Sequence, residues 1–273
     1  MSGPLTRMFR DWVKSVRRFG PLYIAAFLFD LVRIHRSEQA EGFDARCGTD
    51  TATVVYPWNI PSIAHEHTPE IHAYHAAPAW LIRETLNSIP LQPNLFTFID
   101  MGSGKGRALL VASEFPFAKI VGIEISRELS GIAGQNIARY RSMSQRCTTF
   151  SLHCADATDY TFESRPLVLF LSNPFGRESV RRVLANLEAS LVAPPREAYL
   201  IYINPWFETL VRNAPFLRKV RSDGAWWRPW SRYDRSDLKP GAKIFIPTWE
   251  KRAHGTWEAT VALVGRDGIT PPV

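Results

Sequence analysis

The clearest indication of the fold class is one glycine-rich stretch, Phe98-Ile-Asp100-Met-Gly102-Ser-Gly104-Lys-Gly106-Arg. A short apolar run ends at Asp100, glycines follow at every second position, and a helical pattern begins at Gly106. Glycine lets the backbone turn tightly and approach a ligand without a Cβ in the way. A helix start adds unpaired N–H groups and the positive end of the helix dipole. The stretch therefore predicts a strand, a ligand-binding turn and a helix.

Strand-like and helix-like patterns alternate on both sides of this turn. Residues 167–172 form a continuous apolar run, which is typical of a strand buried on both faces. The alternation predicts βαβ units, and hence an α/β fold with a mostly parallel sheet and helices on both faces. The predicted strands are 95–100, 119–125, 149–153, 167–172, 198–204, 243–246 and 256–264, and the predicted helices are 78–89, 106–115, 126–140 and 177–191.

The glycine spacing distinguishes between two kinds of cofactor site. A dinucleotide site has the pattern GxGxxG, but here Arg107 occupies the place of the third glycine, and Asp100 ends the strand. The stretch instead resembles the DxGxGxG motif of the class I S-adenosylmethionine (SAM)-dependent methyltransferases, which have a Rossmann-like seven-strand sheet. The resemblance implies that SAM is the cofactor. It also implies that its methionine part is held by the strand-end acid and the loop, here Asp100, Gly102, Ser103, Gly104 and Gly106.

Acids at the next two strand ends extend the resemblance. Glu124 ends the second strand 20 residues after Gly104, where the family has a carboxylate that binds both ribose hydroxyls. Asp156 follows the third strand and resembles the acid that contacts the adenine amino group. The order of acid, glycines, acid and acid covers the first half of the predicted sheet.

The fourth strand ends in Asn173-Pro174-Phe175, which predicts the catalytic residues. An amide oxygen and a backbone carbonyl can hold an amine with its lone pair towards the methyl group, and Phe175 would form a wall. Several family branches have (Asn/Asp)-Pro-Pro-(Tyr/Phe) here and methylate amino nitrogens of nucleobases or glutamine. This chain departs from that pattern at Phe175. We predict a nitrogen acceptor, with Asn173 also near the cofactor; the alternative is that Asn173 only caps the strand end.

Two branches of the family share further residues with this chain. The seven-strand histone-lysine methyltransferases related to the disruptor of telomeric silencing have an Asn-x-Phe order and an upstream tyrosine that closes over the cofactor, which points to Tyr74. A group of uncharacterised bacterial methyltransferase-like proteins with an Asn-Pro-Phe motif is similar overall. It shares the stretch Phe43-Asp-Ala-Arg-Cys-Gly-Thr-Asp-Thr51. The second resemblance implies no substrate.

Composition limits the other classes of function. Of the 273 residues, 45% are hydrophobic and 22% charged, which excludes a wholly disordered chain. The three cysteines form no CxxC pair, so we expect a reducing, cytoplasmic environment and no structural zinc. Four histidines, His65, His67, His72 and His75, lie close together but without a known ligand spacing. We therefore predict solvated or core histidines and no metal.

The basic charge is concentrated near the C-terminus. The chain has 33 Lys and Arg against 26 Asp and Glu, a net charge of +7, and residues 212–252 alone contain 11 basic and 4 acidic residues. A Trp/Arg-rich insert at about 212–242 includes Trp226, Trp227 and Trp230. It could pack on the sheet edge, line an acceptor pocket or stack nucleobases. The methyl acceptor is then expected to be acidic or phosphate-bearing, with nucleic acid possible but not favoured.

The N-terminus is basic and then apolar. Its uncharged run, residues 19–29, is only 11 residues long, whereas a spanning helix needs about 20. We predict a basic terminal helix that packs on the protein, or else makes weak peripheral contact with a membrane. Residues 1–75 are predicted to form a basic N-terminal helix and a helical or loop extension, in which residues 37–70 are polar and carry the turn signals of a loop. Residues 76–273 are predicted to form the methyltransferase domain. Two alternative functions remain open at this stage: a non-catalytic cofactor-binding protein and a membrane-surface interaction protein.

Overall fold

The structure is a computed structural model that describes residues 42–63, 71–192, 194–222 and 259–264. The predicted N-terminal helix, the strand at 243–246, His65, His67 and the three tryptophans of the insert lie outside these residues. The predicted division at residue 75 stays a prediction.

Strands and helices alternate along the described chain. The strands are β1 (Thr97–Met101), β2 (Lys119–Glu124), β3 (Phe150–Cys154), β4 (Leu167–Leu171), β5 (Ala198–Ile203), β6 (Leu217–Ser222) and β7 (Ala259–Val264). The helices are α1 (Phe43–Cys47), α2 (Ala79–Asn87), α3 (Arg107–Ala112), α4 (Arg127–Arg139), α5 (Arg177–Ser190) and α6 (Glu208–Arg212), with short 3-10 turns at Pro57–Asn59, Pro93–Leu95 and Ala157–Asp159.

These strands form a single sheet in the order β3-β2-β1-β4-β5-β7-β6. Strands β1 to β5 are parallel, β7 runs antiparallel to β5, and β6 runs antiparallel to β7. The strand order reverses between β1 and β4, and in such sheets ligands bind outside the carboxyl ends of the strands at this point. The predicted α/β class, with a mostly parallel sheet between helices, is confirmed.

Alternating side chains of the strands build two cores, one on each face of the sheet. Phe98 and Phe170 belong to the core beneath α2 and α3, whereas Ile99 and Leu169 belong to the core beneath α5. All five residues of β1 and of β4 are buried. Because both faces are covered by helices, the central strands have continuous apolar runs instead of alternating ones.

Three elements differ from the sequence-based expectation. Residues 37–70 have the composition of a loop, yet α1 forms there between Gly42 and Gly48, both with left-handed backbone. The insert, expected to begin at about residue 212, contains the edge strand β6, whose charged residues gave no strand signal. Charged residues are common on edge strands because they discourage pairing with other chains. The short helix α6 also lies where no helix was predicted.

The end of β6 and the start of β7 lie at the same edge of the sheet. Ala259, the first residue of β7, pairs with Ile203, the last of β5, and Ser222 at the end of β6 pairs with Thr260. Ser222 and Ala259 therefore both lie at the edge formed by the carboxyl ends of the parallel strands. Among the described helices, none is both long and apolar enough to cross a membrane.

Candidate functional site

A cavity opens where the carboxyl ends of β1, β2 and β4 meet, and the predicted site residues gather around it. Gly104 and Gly106 lie in the adjoining loop rather than in the wall. The predicted residues that line the cavity are Tyr74, Asp100, Gly102, Ser103, Glu124, Asp156, Asn173, Pro174 and Phe175. One cavity thus brings together the predicted cofactor side and the predicted acceptor side.

The glycine loop can be formed only by glycines because of its neighbours. Gly102, Gly104 and Gly106 have φ values of 81°, 52° and 87°, in the left-handed region. A Cβ on Gly102 would lie 2.3 Å from the Pro174 Cβ, and one on Gly104 would lie 2.2 Å from the Tyr74 ring. The loop is therefore packed between Tyr74 on one side and the Asn-Pro-Phe turn on the other.

Two buried carboxyl groups, Asp100 and Glu124, lie at the strand ends beside this loop. Asp100 is only 3% exposed, and burial, followed by the charge of Glu124, raises the pKa of Asp100 well above its ordinary value. The Glu124 carboxylate accepts the Gly104 N–H at 2.7 Å and the Ser126 N–H at 2.9 Å. Burial raises the pKa of Glu124, and these hydrogen bonds oppose the rise. Glu124 therefore connects the end of β2 to the loop and still offers lone pairs to ligand hydroxyls.

Asp156 is half-buried and has a local structural role. Its side chain accepts the Thr158 N–H at 2.7 Å and so caps the 3-10 turn that follows β3. A carboxylate has two oxygens, so this cap leaves acceptor capacity towards the cavity. The contact with adenine stays a prediction.

Asn173 has the geometry of a ligand-binding residue. Its φ is 46°, and its amide oxygen is buried without a hydrogen-bond partner in the described structure. A buried acceptor without a partner costs free energy, which a bound donor would recover. The alternative that Asn173 is only a strand-end cap has no support from this oxygen, because it makes no capping bond.

His72 was not predicted to belong to the site, but it holds the Asn-Pro-Phe turn. Its Nδ1–H donates to the Asn173 carbonyl at 3.0 Å, and its backbone N–H donates to the Pro174 carbonyl at 3.4 Å. Its ring lies 4.9 Å from that of Trp206. Ile71 and Phe175 form an antiparallel bridge beside it. In the sequence, only its position two residues before Tyr74 could have indicated this role.

His75 also lines the cavity, and its Nδ1 is buried without a partner among the described residues. Burial lowers the pKa of His75, which favours the neutral ring. Within the described part of the chain, no group of His, Cys, Asp and Glu is arranged to bind a metal ion. For His72 and His75 the prediction of core or solvated histidines therefore needs refinement, since both contribute to the cavity wall.

A second turn resembles the Asn-Pro-Phe turn in the neighbouring strand. Strand β5 ends in Asn204-Pro205-Trp206, and Asn204 has a φ of 50°. The Trp206 indole N–H is buried without a hydrogen-bond partner in the described structure. Two adjacent parallel strands thus end in left-handed asparagine followed by proline and an aromatic residue.

Comparison with protein families gives a match to part of the chain. The family described as "Histone methylation protein DOT1" matches residues 73–175, which is less than half of the chain. The matched region runs from the residue before Tyr74 to Phe175 and includes the glycine loop, Glu124 and Asp156. No curated protein matches.

Solved structures of similar fold are distant in sequence. A putative methyltransferase, yhhF, from Escherichia coli is 16% identical, with 68% of this chain and 88% of that chain covered and a TM-score of 0.43. Magnesium protoporphyrin IX methyltransferase from Synechocystis PCC 6803, with bound SAM, is 12% identical, with 68% and 78% covered and a TM-score of 0.43. A putative RNA methyltransferase from Pyrococcus horikoshii is 13% identical, with 70% and 81% covered and a TM-score of 0.41. The family match supports a class I methyltransferase and leaves the methyl acceptor unspecified.

Proposed function

We propose that this protein is a SAM-dependent methyltransferase that transfers the methyl group to a nitrogen atom. The observation that carries the proposal is the meeting, in one cavity, of the acids at the ends of β1 and β2 with the unpartnered amide oxygen of Asn173. The first part suits a cofactor with an ammonium group and ribose hydroxyls. The second suits an acceptor that brings an N–H donor.

The residues around the loop fit SAM by their chemistry. Asp100 is a buried carboxyl group that lines the cavity at the end of β1, so it suits the ammonium of the methionine part. Glu124 presents a fixed carboxylate to the ribose hydroxyls, and Asp156 presents one towards the adenine amino group. The glycine loop lets the ligand approach the backbone closely, because no Cβ intervenes. Tyr74 covers Gly104 and would close this side of the cavity.

The acceptor side can position an amine. SAM, when bound, supplies an electrophilic methyl group on a sulfonium. The Asn173 amide oxygen and the Pro174 backbone carbonyl accept N–H bonds from the amine, which turns the nitrogen lone pair towards the methyl group. Phe175 forms a wall and helps to exclude water. The amine passes its surplus proton to water, so this scheme needs neither a metal nor a dedicated general base.

The charge distribution suggests the class of acceptor. Residues 212–252 contain 11 basic and 4 acidic residues, and within this range Ser222 at the end of β6 lies at the edge of the sheet that holds the cavity. An acidic or phosphate-bearing acceptor would be attracted there. The proposal includes a cytoplasmic location, which the three free cysteines favour.

Calorimetry tests the cofactor part of the proposal. We expect the wild type to bind SAM and its product S-adenosylhomocysteine, and Glu124→Ala to weaken binding by at least about tenfold, because a charge-assisted hydrogen bond contributes roughly 1.5–3 kcal/mol. Glu163→Ala is the matched control, since Glu163 is an exposed acid that pairs with Lys119 away from the cavity. A wild type that binds neither compound would overturn the proposal.

Transfer is tested with methyl-labelled SAM and separated protein, nucleic-acid and small-molecule pools. With the pool that becomes labelled, Asn173→Ala should lower the initial rate about 100-fold, the effect of misplacing a reacting group, and should change cofactor affinity much less. Asn204→Ala controls for the loss of a left-handed asparagine before proline. Cofactor binding without labelling of any pool would instead indicate a cofactor-binding protein that transfers no methyl group.

A further inference from the structure

The stretch of residues 43–52, here called the strap, packs against the far side of the glycine loop. Two cations flank Gly106 in that loop, and both are buried, Lys105 at 3% and Arg107 at 2% exposure. The strap supplies an acid for each: Asp50 accepts from Lys105 at 3.0 Å, and Asp44 lies 3.7 Å from the Arg107 guanidinium. Loss of either acid would cost considerable free energy, because a buried charge needs an opposite charge or hydrogen bonds.

Thr51 is the junction of the strap with two parts of the site. It is fully buried, and its hydroxyl donates to Asp44 Oδ1 at 2.6 Å and accepts from Arg107 Nε at 2.7 Å. Its backbone carbonyl accepts the Tyr74 hydroxyl at 2.8 Å. A single residue thus contacts the first helical residue after the glycine loop and the aromatic ring that covers that loop.

Tyr74 connects Thr51 to both sides of the cavity. Its ring occupies the space where a Gly104 Cβ would lie, and its backbone pairs with Val55 through hydrogen bonds of 2.7 and 3.2 Å. Three residues earlier, Ile71 forms a bridge with Phe175. The stretch 71–75 therefore spans from the Asn-Pro-Phe turn to the glycine loop, and the strap fixes its end.

We propose that Thr51 is a positioning residue, which sets the distance between Tyr74 and Arg107 and so holds the glycine loop in the shape that binds the cofactor. The proposal rests on the proposed function for its effect on cofactor affinity. Thr51 does not itself line the cavity, so it acts through Tyr74 and Arg107. Because the Thr51 hydroxyl accepts the buried Arg107 Nε–H and its carbonyl accepts the Tyr74 hydroxyl, a change at Thr51 alters the loop without touching the ligand.

A matched pair of variants tests this role. Thr51→Val removes the hydroxyl but keeps the branched shape and the carbonyl. Thr49→Val removes a hydroxyl that donates to the same Asp44 oxygen, at 2.7 Å. Thr51→Ser restores the hydroxyl and serves as the conservative rescue. Two measurements are made on each protein: the dissociation constant of S-adenosylhomocysteine, and the amide hydrogen exchange of the glycine loop without ligand.

We expect Thr51→Val to weaken S-adenosylhomocysteine binding about tenfold, the effect of one buried polar group left unsatisfied, and to speed exchange in the loop. Thr49→Val should change neither by more than about twofold, and Thr51→Ser should resemble the wild type. Equal effects of Thr51→Val and Thr49→Val would show a merely structural role and overturn the proposal. If the wild type bound no ligand, the proposed function would fail, while unchanged exchange in Thr51→Val would separately overturn the positioning role.

Discussion

At the scale of single residues, Gly104 and Tyr74 form the tightest pair in the site. Alanine at Gly104 would combine left-handed backbone with a collision at 2.2 Å. We expect Gly104→Ala to lower the free energy of unfolding by about 2–6 kcal/mol, from strain and overpacking together, and to abolish measurable SAM binding. Chemical denaturation and calorimetry would check both effects.

Gly48→Ala separates the two causes. Gly48 has a φ of 69°, but nothing lies within 4 Å of its would-be Cβ. This variant should lose only about 1–3 kcal/mol of stability and should keep most of its cofactor affinity. A similar loss of SAM binding in both variants would contradict the role given to the Tyr74 ring.

Asp100 is expected to favour function at the expense of stability. Because burial raises its pKa in the folded protein, the native state holds this proton more tightly than the unfolded chain, and stability falls as pH rises through the folded pKa. Asp100→Asn removes this cost. At neutral pH we expect a melting temperature higher by about 2–4 °C for each kcal/mol recovered, together with SAM affinity at least about tenfold weaker.

Melting curves of the ligand-free proteins from pH 4 to pH 8 would check the sign of this pH dependence of stability. The difference between variant and wild type should shrink as pH falls towards 3.8, the ordinary pKa of an aspartate side chain. A variant less stable than the wild type across this range would contradict the prediction, because the Asp100 carboxyl group would then stabilise the folded protein.

The position of a single site residue could be predicted from the sequence only where the residue follows a recognisable strand. Asp100, Glu124 and Asn173 were placed at strand ends by the apolar runs before them, and all three line the cavity. His72 and Thr51 lie in polar stretches without periodicity. Their contacts join residues 101 and 56 positions away along the chain, to Asn173 and Arg107, and no local pattern contains that information.

At the scale of elements, helix α4 illustrates a signal that the sequence does contain. Ser126 is the first residue of the predicted helix 126–140 and caps α4, because its hydroxyl accepts the Leu129 N–H at 3.1 Å. Ser126→Ala should cost about 1 kcal/mol and lower the melting temperature by about 2–4 °C. Ser130→Ala, inside the same helix, should be neutral or slightly stabilising because alanine has the higher helix propensity. Equal losses in both variants would contradict the cap.

The central strands and long helices were predictable for one physical reason, while the short elements were not. Strands β1, β4 and β5 are buried along their whole length, so each needs a continuous apolar run. Helix α1 has five residues and only Phe43 is buried, so packing imposes almost no pattern on its sequence. Strand β6 is at the sheet edge, where polar residues are tolerated and hide the strand.

At the scale of the whole molecule, cofactor binding should stabilise the folded chain. A ligand that binds only the native state at 100 times its dissociation constant adds about 2.7 kcal/mol. For a domain of this size, the expected rise in melting temperature is about 5–11 °C. Thermal denaturation with S-adenosylhomocysteine, and with ATP as a control that shares the adenosine part, would measure it. An equal rise with ATP would indicate a nucleotide site without the methionine contacts.

The basic N-terminal stretch permits one further test on the full chain. We expect weak co-sedimentation with anionic vesicles that decreases as salt rises from 50 to 200 mM, because screening shortens the range of charge attraction to about 8 Å at 150 mM. Deleting residues 1–36 should remove it, while neutral vesicles serve as the control. Binding that survives the deletion would point to the other basic segment, residues 212–252.

The order of the strands separates the cofactor residues from the last part of the sheet. Ser222 of β6 pairs with Thr260 of β7 at the opposite end of the strand order from β2 and β3. The glycine loop, Glu124 and Asp156 all precede residue 222 in the chain, so a change of sequence between Ser222 and Ala259 interrupts none of the strands that carry them. For protein engineering, the cofactor residues and this later stretch are therefore separate modules.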